Sequence, residues 1–480
     1  MIALVTDLPE ARTELSDVIR LFFPMEEITE EGLPRLVHSH EGGRHTAVWI
    51  TEKGPVTRSL EVPVPEGDPI VRLRMLRRGA KLAAFEAMQQ AEDLHLPWGA
   101  LTGIRPAHLI RQLIQERGSL AAARETLERD FHVSPARVQL LADILAQQEP
   151  IFRWGDDEAV DIYVGIPFCK SRCLYCSFLS VDLSKTRCDV AAYGDALVKE
   201  IAHAGEFLER LGKRPHALYV GGGTPTALGQ EPLDRILAAM GKAFPGYVEL
   251  TCEAGRPDTL NPDMFRMMMD RGVSRISINP QTFNDATLER IGRSHTSAET
   301  LRSLDEALAA GFRNINMDLI MGLPGETVAD AAHTLSVVRG LPIQNLTVHT
   351  LTIKRSSALH EHLARWPLPS CEDTEAMVEL GAQTARDMGM APYYLYRQKA
   401  QRGNLENVGY TLPGQACIYN VDIMEETHHN LALGAGAISK RMIYAENRHE
   451  RLSHPKSVPL YMEKLDELCR ENETFFTQKG

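Results

Sequence analysis

The chain has 480 residues, 44% of them hydrophobic, and a formal net charge of -12. That length can bury a large core, and the acidity argues against general attraction to nucleic acid or acidic lipid. No apolar run approaches the roughly 20 residues that span a bilayer, and charge interrupts the N-terminus too early for a secretion signal, so a cytoplasmic chain with no membrane span is expected.

Residues 1–150 are expected to form an α+β accessory domain. Apolar stretches at 2–5 and 46–51 read as strands, and helical patterns run over 71–90, 107–115 and 138–147. The basic run Arg72, Arg74, Arg77, Arg78 and Lys81 reads as the solvated face of the first helix rather than a nucleic-acid patch. The stretch 96–106 (LPWGALTGIRP) is dense in residues with special backbone demands and reads as a shaped loop. Trp98, Gly103, Arg105 and Pro106 are too specialised for a linker, so this domain is expected to shape substrate access or partner docking.

Over 151–355 the pattern becomes strand, then helix, repeated. Apolar, β-branched strands at 162–167, 217–220, 248–252, 275–278, 314–320 and 346–351 alternate with helices at 190–211, 232–244, 262–271, 297–310 and 328–339. Parallel strands need crossover helices, so the succession predicts an α/β fold with a partial parallel (β/α)6 barrel, its chemistry at the C-terminal strand ends. Residues 356–480 are expected to be a C-terminal α/β portion that shapes the substrate site. It contains a helix over 370–389, the cluster Tyr393, Tyr394, Tyr396 and Arg397, a glycine-rich passage at 433–440 and a helix near 461–470.

Eight cysteines are too few for a disulfide scaffold in a chain this long, and three of them cluster. Cys169, Cys173 and Cys176 follow the first barrel strand directly, on a loop at the barrel mouth. Four-iron clusters usually take four thiolates, so three close ligands leave one iron open to an outside ligand. The alternatives are a zinc site, which wants four ligands and finds Cys188 outside the tight spacing, or three ordinary loop cysteines.

This spacing resembles that of the radical S-adenosylmethionine enzymes. The segments 163–178 (YVGIPFCKSRCLYCSF), 221–226 (GGGTPT), 293–295 (RSH), 318–324 (DLIMGLP) and 394–410 (YLYRQKAQRGNLENVGY) extend the resemblance to the oxygen-independent coproporphyrinogen III dehydrogenase subgroup. The N-terminal extension and C-terminal motifs look like its HemZ type. The resemblance implies a 4Fe-4S cluster on Cys169, Cys173 and Cys176 and one or two molecules of S-adenosylmethionine. It lays Tyr163 and Tyr175 beside the cofactor, Tyr175 near the adenine, and sets Gly222, Gly223 and Thr224 where backbone can meet the methionine amine. It further assigns Glu253 to the methionine part, Gln281 and Asp318 to the ribose hydroxyls, and Arg293 to the carboxylate.

The implied reaction is oxidative decarboxylation of coproporphyrinogen III, an oxidoreductase step of haem biosynthesis without oxygen, fed by a flavodoxin or ferredoxin. Four substrate carboxylates need cations, and the candidates are Lys354, Arg355, Arg397, Lys399, Arg402, Lys440 and Arg441. The chain departs from the pattern in places. Phe178 stands where the dehydrogenase branch carries a further cysteine and the haem-chaperone branch a phenylalanine, Gly165 replaces a histidine, and the chain stops short of a trailing domain. A haem chaperone, or another radical reaction on a tetrapyrrole such as methyl transfer or ring opening, therefore stands beside decarboxylation.

Overall fold

The computed structural model describes residues 1–478 except Met25, Pro65, His95, Leu179, Arg187 and 399–401; the Arg402 side chain also lies outside the description. Contacts divide the chain into two compact units, Met1–Asp143 with Tyr396–Glu406, and Ile144–Leu395 with Asn407–Gly480.

The first unit carries β1 (Ile2–Thr6), β2 (Ile28–Thr29), β3 (Arg35–Glu41), β4 (Arg44–Thr51) and β5 (Gly54–Glu61) in the order β2-β1-β3-β4-β5. On β4, His45, Ala47 and Trp49 are buried in alternation, the period of a sheet with one covered face. The long helix Pro69–Glu92 starts where Asp68 accepts from the Ile70 amide at 2.8 Å and Pro69 supplies a preset φ. Its basic run is only partly a solvated face. Arg72 and Arg74 are exposed, but Arg77 and Arg78 lie within salt-bridge range of Glu14 and Glu116, and Lys81 lies over the Phe131 ring, where burial pushes its ammonium down to about 8.

The shaped loop is a packed core element. Trp98 is fully buried and donates to Glu406 Oε2 at 2.7 Å, while Arg137 Nε pairs with the other oxygen of Glu406 at 2.9 Å. Gly99 has φ +50, and a Cβ there would sit 2.1 Å from the Phe131 carbonyl oxygen, so no other residue fits without backbone movement.

In the second unit the chain runs through β6 (Ala159–Ile166), β7 (Phe168–Cys169), β8 (Val181–Asp182), β9 (Arg214–Gly222), β10 (Glu249–Cys252), β11 (Arg275–Ser277), β12 (Ile315–Met321), β13 (Asn345–Thr350), β14 (Ala391–Tyr396), β15 (Asn407–Thr411), β16 (His429–Leu433), β17 (Ile438–Ile443) and β18 (Arg448–Ser453). Among the described residues one eleven-stranded sheet takes the order β14-β15-β13-β12-β11-β10-β9-β6-β16-β17-β18. The six expected barrel strands are all present and parallel. A seventh, β16, which the sequence reading gave no element and which ends where the glycine-rich passage begins, also lies parallel to β6. Strands covered on both faces read as continuous apolar runs, which is why β6 is buried along almost its whole length.

Caps set the turn from strand to helix: Thr296 with Glu299 and Thr327 with Asp330 form capping boxes before the helices Ser297–Ala310 and Val328–Arg339. The expected last helix is two, Val458–Glu463 and Leu465–Thr477. No helix among the described residues is long and apolar enough to cross a membrane.

Glu326, just past β12, is buried and accepts from Thr282 Oγ1 at 2.6 Å; burial pushes its carboxyl up to about 7. Because the folded chain holds this proton to higher pH than the unfolded chain, the site's stabilisation is full below the unfolded value and is lost as pH rises through 7. Glu326→Gln should raise the urea unfolding free energy at pH 8 by roughly 2–3 kcal/mol and much less at pH 5. Equal shifts at both pH values would refute the assignment.

Candidate functional site

The cysteine loop leaves the C-terminal end of β6 and is pinned on several sides. Cys169 ends β7, which pairs with β8. The Leu174 amide donates to the Ile291 carbonyl and its carbonyl accepts from the Leu359 amide, both at 2.9 Å. Arg172 Nη2 donates to the Ser356 carbonyl at 2.8 Å and the Cys176 carbonyl at 3.3 Å.

Sequence reading missed the strongest of these anchors. Arg256 is buried, forks onto Asp258 at 3.0 and 3.1 Å, and donates from Nη1 to the Ser171 carbonyl at 2.8 Å. Its only sequence signal is an arginine and an aspartate two positions apart, just past a strand end.

The glycine run at the end of β9 lies against this loop. The Gly223 amide donates to the Ile166 carbonyl at 2.8 Å and the Thr224 amide to the Phe168 carbonyl at 2.7 Å, while Cys169 Sγ lies 3.6 Å from Thr224 Oγ1. Gly222 takes φ +116. A Cβ on Gly223 would stand 2.5 Å from the Phe168 oxygen and 3.0 Å from Cys169 Sγ. Gly223→Ala should therefore displace the loop, cost about 1–3 kcal/mol and lower the iron retained per chain after reconstitution; unchanged iron and urea midpoint would contradict it. Burial pushes the Cys169 and Cys176 thiols up, so a cation is needed to hold them as thiolates.

The remaining expected residues sit around the same strand ends. Tyr175 hydroxyl accepts from Arg293 Nη2 at 3.2 Å, and Arg293 Nη1 donates to the Asn279 carbonyl at 3.1 Å. Burial pulls the Arg293 guanidinium down, but Tyr175 and Cys173 outweigh it and hold it above its ordinary value. Glu253 Oε1 accepts from Tyr219 hydroxyl at 2.6 Å beneath Gly221, and burial raises its carboxyl to about 7. Tyr163 stacks on Tyr219, and Tyr219 on Tyr419, with centroids 6.2 and 4.6 Å apart. Asp318 accepts from Asn316 Nδ2 at 2.7 Å; burial would raise its carboxyl, but His349 and these hydrogen bonds hold it below the usual range. Gln281, at φ +71, exchanges backbone hydrogen bonds with Asp318 and Ile320 at 3.0 Å.

Several buried polar atoms here lack a hydrogen-bond partner: Arg293 Nε, Gln281 Oε1 and both ring nitrogens of His295, whose imidazole burial pushes down to about 4. His295 carried no assigned role in the sequence. Orphaned donors and acceptors beside a glycine cradle and three thiols fit a polar ligand such as S-adenosylmethionine over a cluster.

The expected carboxylate partners fare differently. Arg397 is buried, donates to the Leu101 carbonyl and to Asn404, and lies 5.3 Å from the Trp98 ring centroid, so its charge is spent inside the first unit. Lys440 pairs with Glu426 and Arg441 with Glu450. Lys399 lies outside the described residues, and Arg402's side chain is not described. Lys354 and exposed Arg355 remain, on the segment that meets the cysteine loop through Ser356, and burial alone pushes the Lys354 ammonium down. Phe178 is 69% exposed.

A family model described as the Radical SAM superfamily matches residues 163–338. The oxygen-independent coproporphyrinogen-III oxidase-like protein HemZ of Bacillus subtilis (strain 168) is 37% identical, covering 79% of this chain and 77% of its own length. The heme chaperone HemW of Lactococcus lactis subsp. lactis (strain IL1403) is 30% identical over 57% of this chain and 68% of its own. The solved structure of coproporphyrinogen III oxidase (HemN) from Escherichia coli, a radical SAM enzyme, superposes with a TM-score of 0.50 at 21% identity, over 69% of this chain and 73% of that one. At that identity the likeness speaks for the fold.

Proposed function

Since the chain belongs to the radical SAM superfamily, among the oxygen-independent coproporphyrinogen-III oxidase-like proteins, we propose that it decarboxylates coproporphyrinogen III to protoporphyrinogen IX without oxygen. The observation that carries this is the gathering of Cys169, Cys173 and Cys176 on one anchored loop against Gly223 and Thr224, in a chain so related to HemZ. The cluster and S-adenosylmethionine, when bound, supply one-electron cleavage of a sulfonium and a hydrogen-abstracting radical.

The protein's own contribution is positioning. Cys169, Cys173 and Cys176 would hold the cluster through three of its irons. Arg293 and Gln281 would complete their orphaned atoms on the bound cofactor, the side-chain-free glycine run would let backbone approach it closely, and Asp318 would accept from its ribose hydroxyls. Glu253, held in place by Tyr219, would face the amino-acid end, with Tyr163 beside the cofactor and Tyr175 near its adenine. Lys354, a half-buried cation beside the cysteine loop, takes a substrate carboxylate. Each reacting propionate loses a hydrogen atom from its β-carbon and carbon dioxide from its end, and one electron passes to an external acceptor, leaving a vinyl group. A radical step of this kind depends on holding the reacting carbon in place and keeping water away. A small electron carrier of the flavodoxin or ferredoxin class supplies the reducing electron.

The test is anaerobic reconstitution with iron, sulfide, reductant, S-adenosylmethionine and coproporphyrinogen III. Protoporphyrinogen is the expected product, and cofactor cleavage with the substrate's carboxyl groups intact would sink the proposal. Product mass also separates decarboxylation from methyl transfer and ring opening. A second reading, a haem chaperone, is favoured by exposed Phe178 and by the HemW relative. Titration with haem, followed by transfer to an apo-haemoprotein, decides it; absence of binding removes it.

A further inference from the structure

The strand starts, at the end of the sheet away from Cys169, gather two carboxylates and two imidazoles that the chemistry above does not use. Asp161 is the third residue of β6, His216 the third of β9, and His428 immediately precedes β16, so three neighbouring parallel strands each bring one. Asp422 comes from the helix Ile418–Glu425. One donor atom from each of the four lies within 4.8 Å of every other.

The spacing decides what these atoms suit. His216 Nδ1 is 3.3 Å from Asp161 Oδ1 and 3.2 Å from Asp422 Oδ2; His428 Nδ1 is 3.3 Å from Asp422 Oδ2 and 3.8 Å from Asp161 Oδ2. Four donors placed tetrahedrally at the usual zinc–nitrogen and zinc–oxygen lengths are about 3.3–3.5 Å apart.

Direct hydrogen bonding accounts for the cluster less well. His216 Nδ1 to Asp161 Oδ1 meets that geometry, but Asp422 Oδ2 and His428 Nδ1 have no partner that does, although both are buried and lie 3.3 Å apart. Two buried polar atoms so close together without a satisfied hydrogen bond leave room for a shared ligand.

Outer contacts fix the carboxylates as a metal site requires. Asp422 Oδ1 accepts from Thr427 Oγ1 at 2.5 Å, and Asp161 Oδ1 accepts from the Ala217 amide at 3.1 Å. Two carboxylates and two neutral imidazoles around a dication also leave no net charge in a region where the Asp422 and His428 side chains are each 1% exposed.

We infer that Asp161, His216, Asp422 and His428 form a closed structural site for one divalent transition-metal ion of the zinc type, tying β16 to β6 and β9. Two nitrogens and two oxygens with no sulfur suit zinc better than calcium or magnesium, which take six or more oxygens. The set supplies four donors, the number a closed zinc site takes, with no position left for substrate. His216, whose side chain is 15% exposed, is the side from which the ion enters. Protons compete for the same atoms, so uptake releases protons and weakens in acid.

The full-length chain, stripped with a chelator, is incubated with zinc chloride alone, desalted and assayed for metal. About one zinc per chain with a nitrogen-and-oxygen shell in zinc-edge X-ray absorption is expected. Asp422→Asn and His428→Gln should each lose that zinc while the iron taken up on reconstitution stays at the wild-type level. Three results would overturn the site: no retained zinc, sulfur in the zinc shell, which would place the ion on the cysteine loop, or wild-type zinc in both variants. If the variants do not fold, the wild-type absorption spectrum still decides between the shells.

Discussion

Cys173→Ser should yield a folded chain that no longer cleaves S-adenosylmethionine. The loop offers three thiols between Cys169 and Cys176, and a serine hydroxyl stays protonated at neutral pH where a thiolate would bind iron. With two thiolates left, cluster occupancy falls, and the yield of cleaved cofactor should drop at least about a thousandfold, roughly 4 kcal/mol or more in barrier terms. The fold should survive, because the loop's anchors run through Leu174, Arg172 and Ser171 and do not involve the Cys173 side chain. Iron and sulfide content, chromatography of the cleaved cofactor and a thermal melt measure the three parts. Cys188→Ser is the control and should keep its iron, since that thiol lies outside the triplet. Full iron and undiminished cleavage in Cys173→Ser would remove the cluster from this loop.

The second large effect is expected at Arg256. With side chains 4% and 7% exposed, Arg256 and Asp258 form a buried pair, and removing the guanidinium leaves the Asp258 carboxylate only the largely exposed Lys170 ammonium at 3.5 Å. Breaking such a pair typically costs about 3–5 kcal/mol. Arg256→Met should lower unfolding stability by that order and also free the Ser171 carbonyl, so that iron is held less firmly. Arg256→Lys should rescue only part, because an ammonium cannot make the two-pronged contact with Asp258 and still reach Ser171. The double variant Arg256→Met with Asp258→Leu should regain stability, since no charge is stranded, but not iron retention, since the anchor is still missing. Urea unfolding and iron counts on the three variants separate stability from anchoring. A wild-type midpoint and full iron in Arg256→Met would refute both roles.

Which parts of the molecule could be read in the sequence follows from how local their causes are. The parallel strands announce themselves as short, mostly apolar stretches between helices, such as the one ending at Ile166. The cysteine loop is legible because its three cysteines lie within eight consecutive positions. The strand β16 was not, since its glycine-rich continuation reads as loop and its partner β6 lies far earlier in the chain. Arg256 could not be weighed without knowing that Ser171, 85 positions away, passes beside it. The reverse error occurred at Arg397: tyrosines around an arginine suggested a ligand surface, but its guanidinium is taken by Leu101, Asn404 and the Trp98 ring. The set Asp161, His216, Asp422 and His428 has no spacing signature at all, because its members become neighbours only when three strands line up.

Glu406 reaches Trp98 across 308 positions of chain, which gives the first unit an unusual order of assembly. A ribosome delivers residues 1–143 complete with the indole and the Arg137 guanidinium, but the carboxylate that answers both is not made until after every barrel strand from β6 to β13 has emerged. The Trp98 indole and the Arg137 guanidinium therefore meet this carboxylate only after the barrel has been synthesised. Cutting residues 1–143 away would take Trp98 and Arg137 from Glu406 and the Leu101 carbonyl from Arg397, and loss of turnover after such a cut would report this altered segment as much as any role of the removed unit.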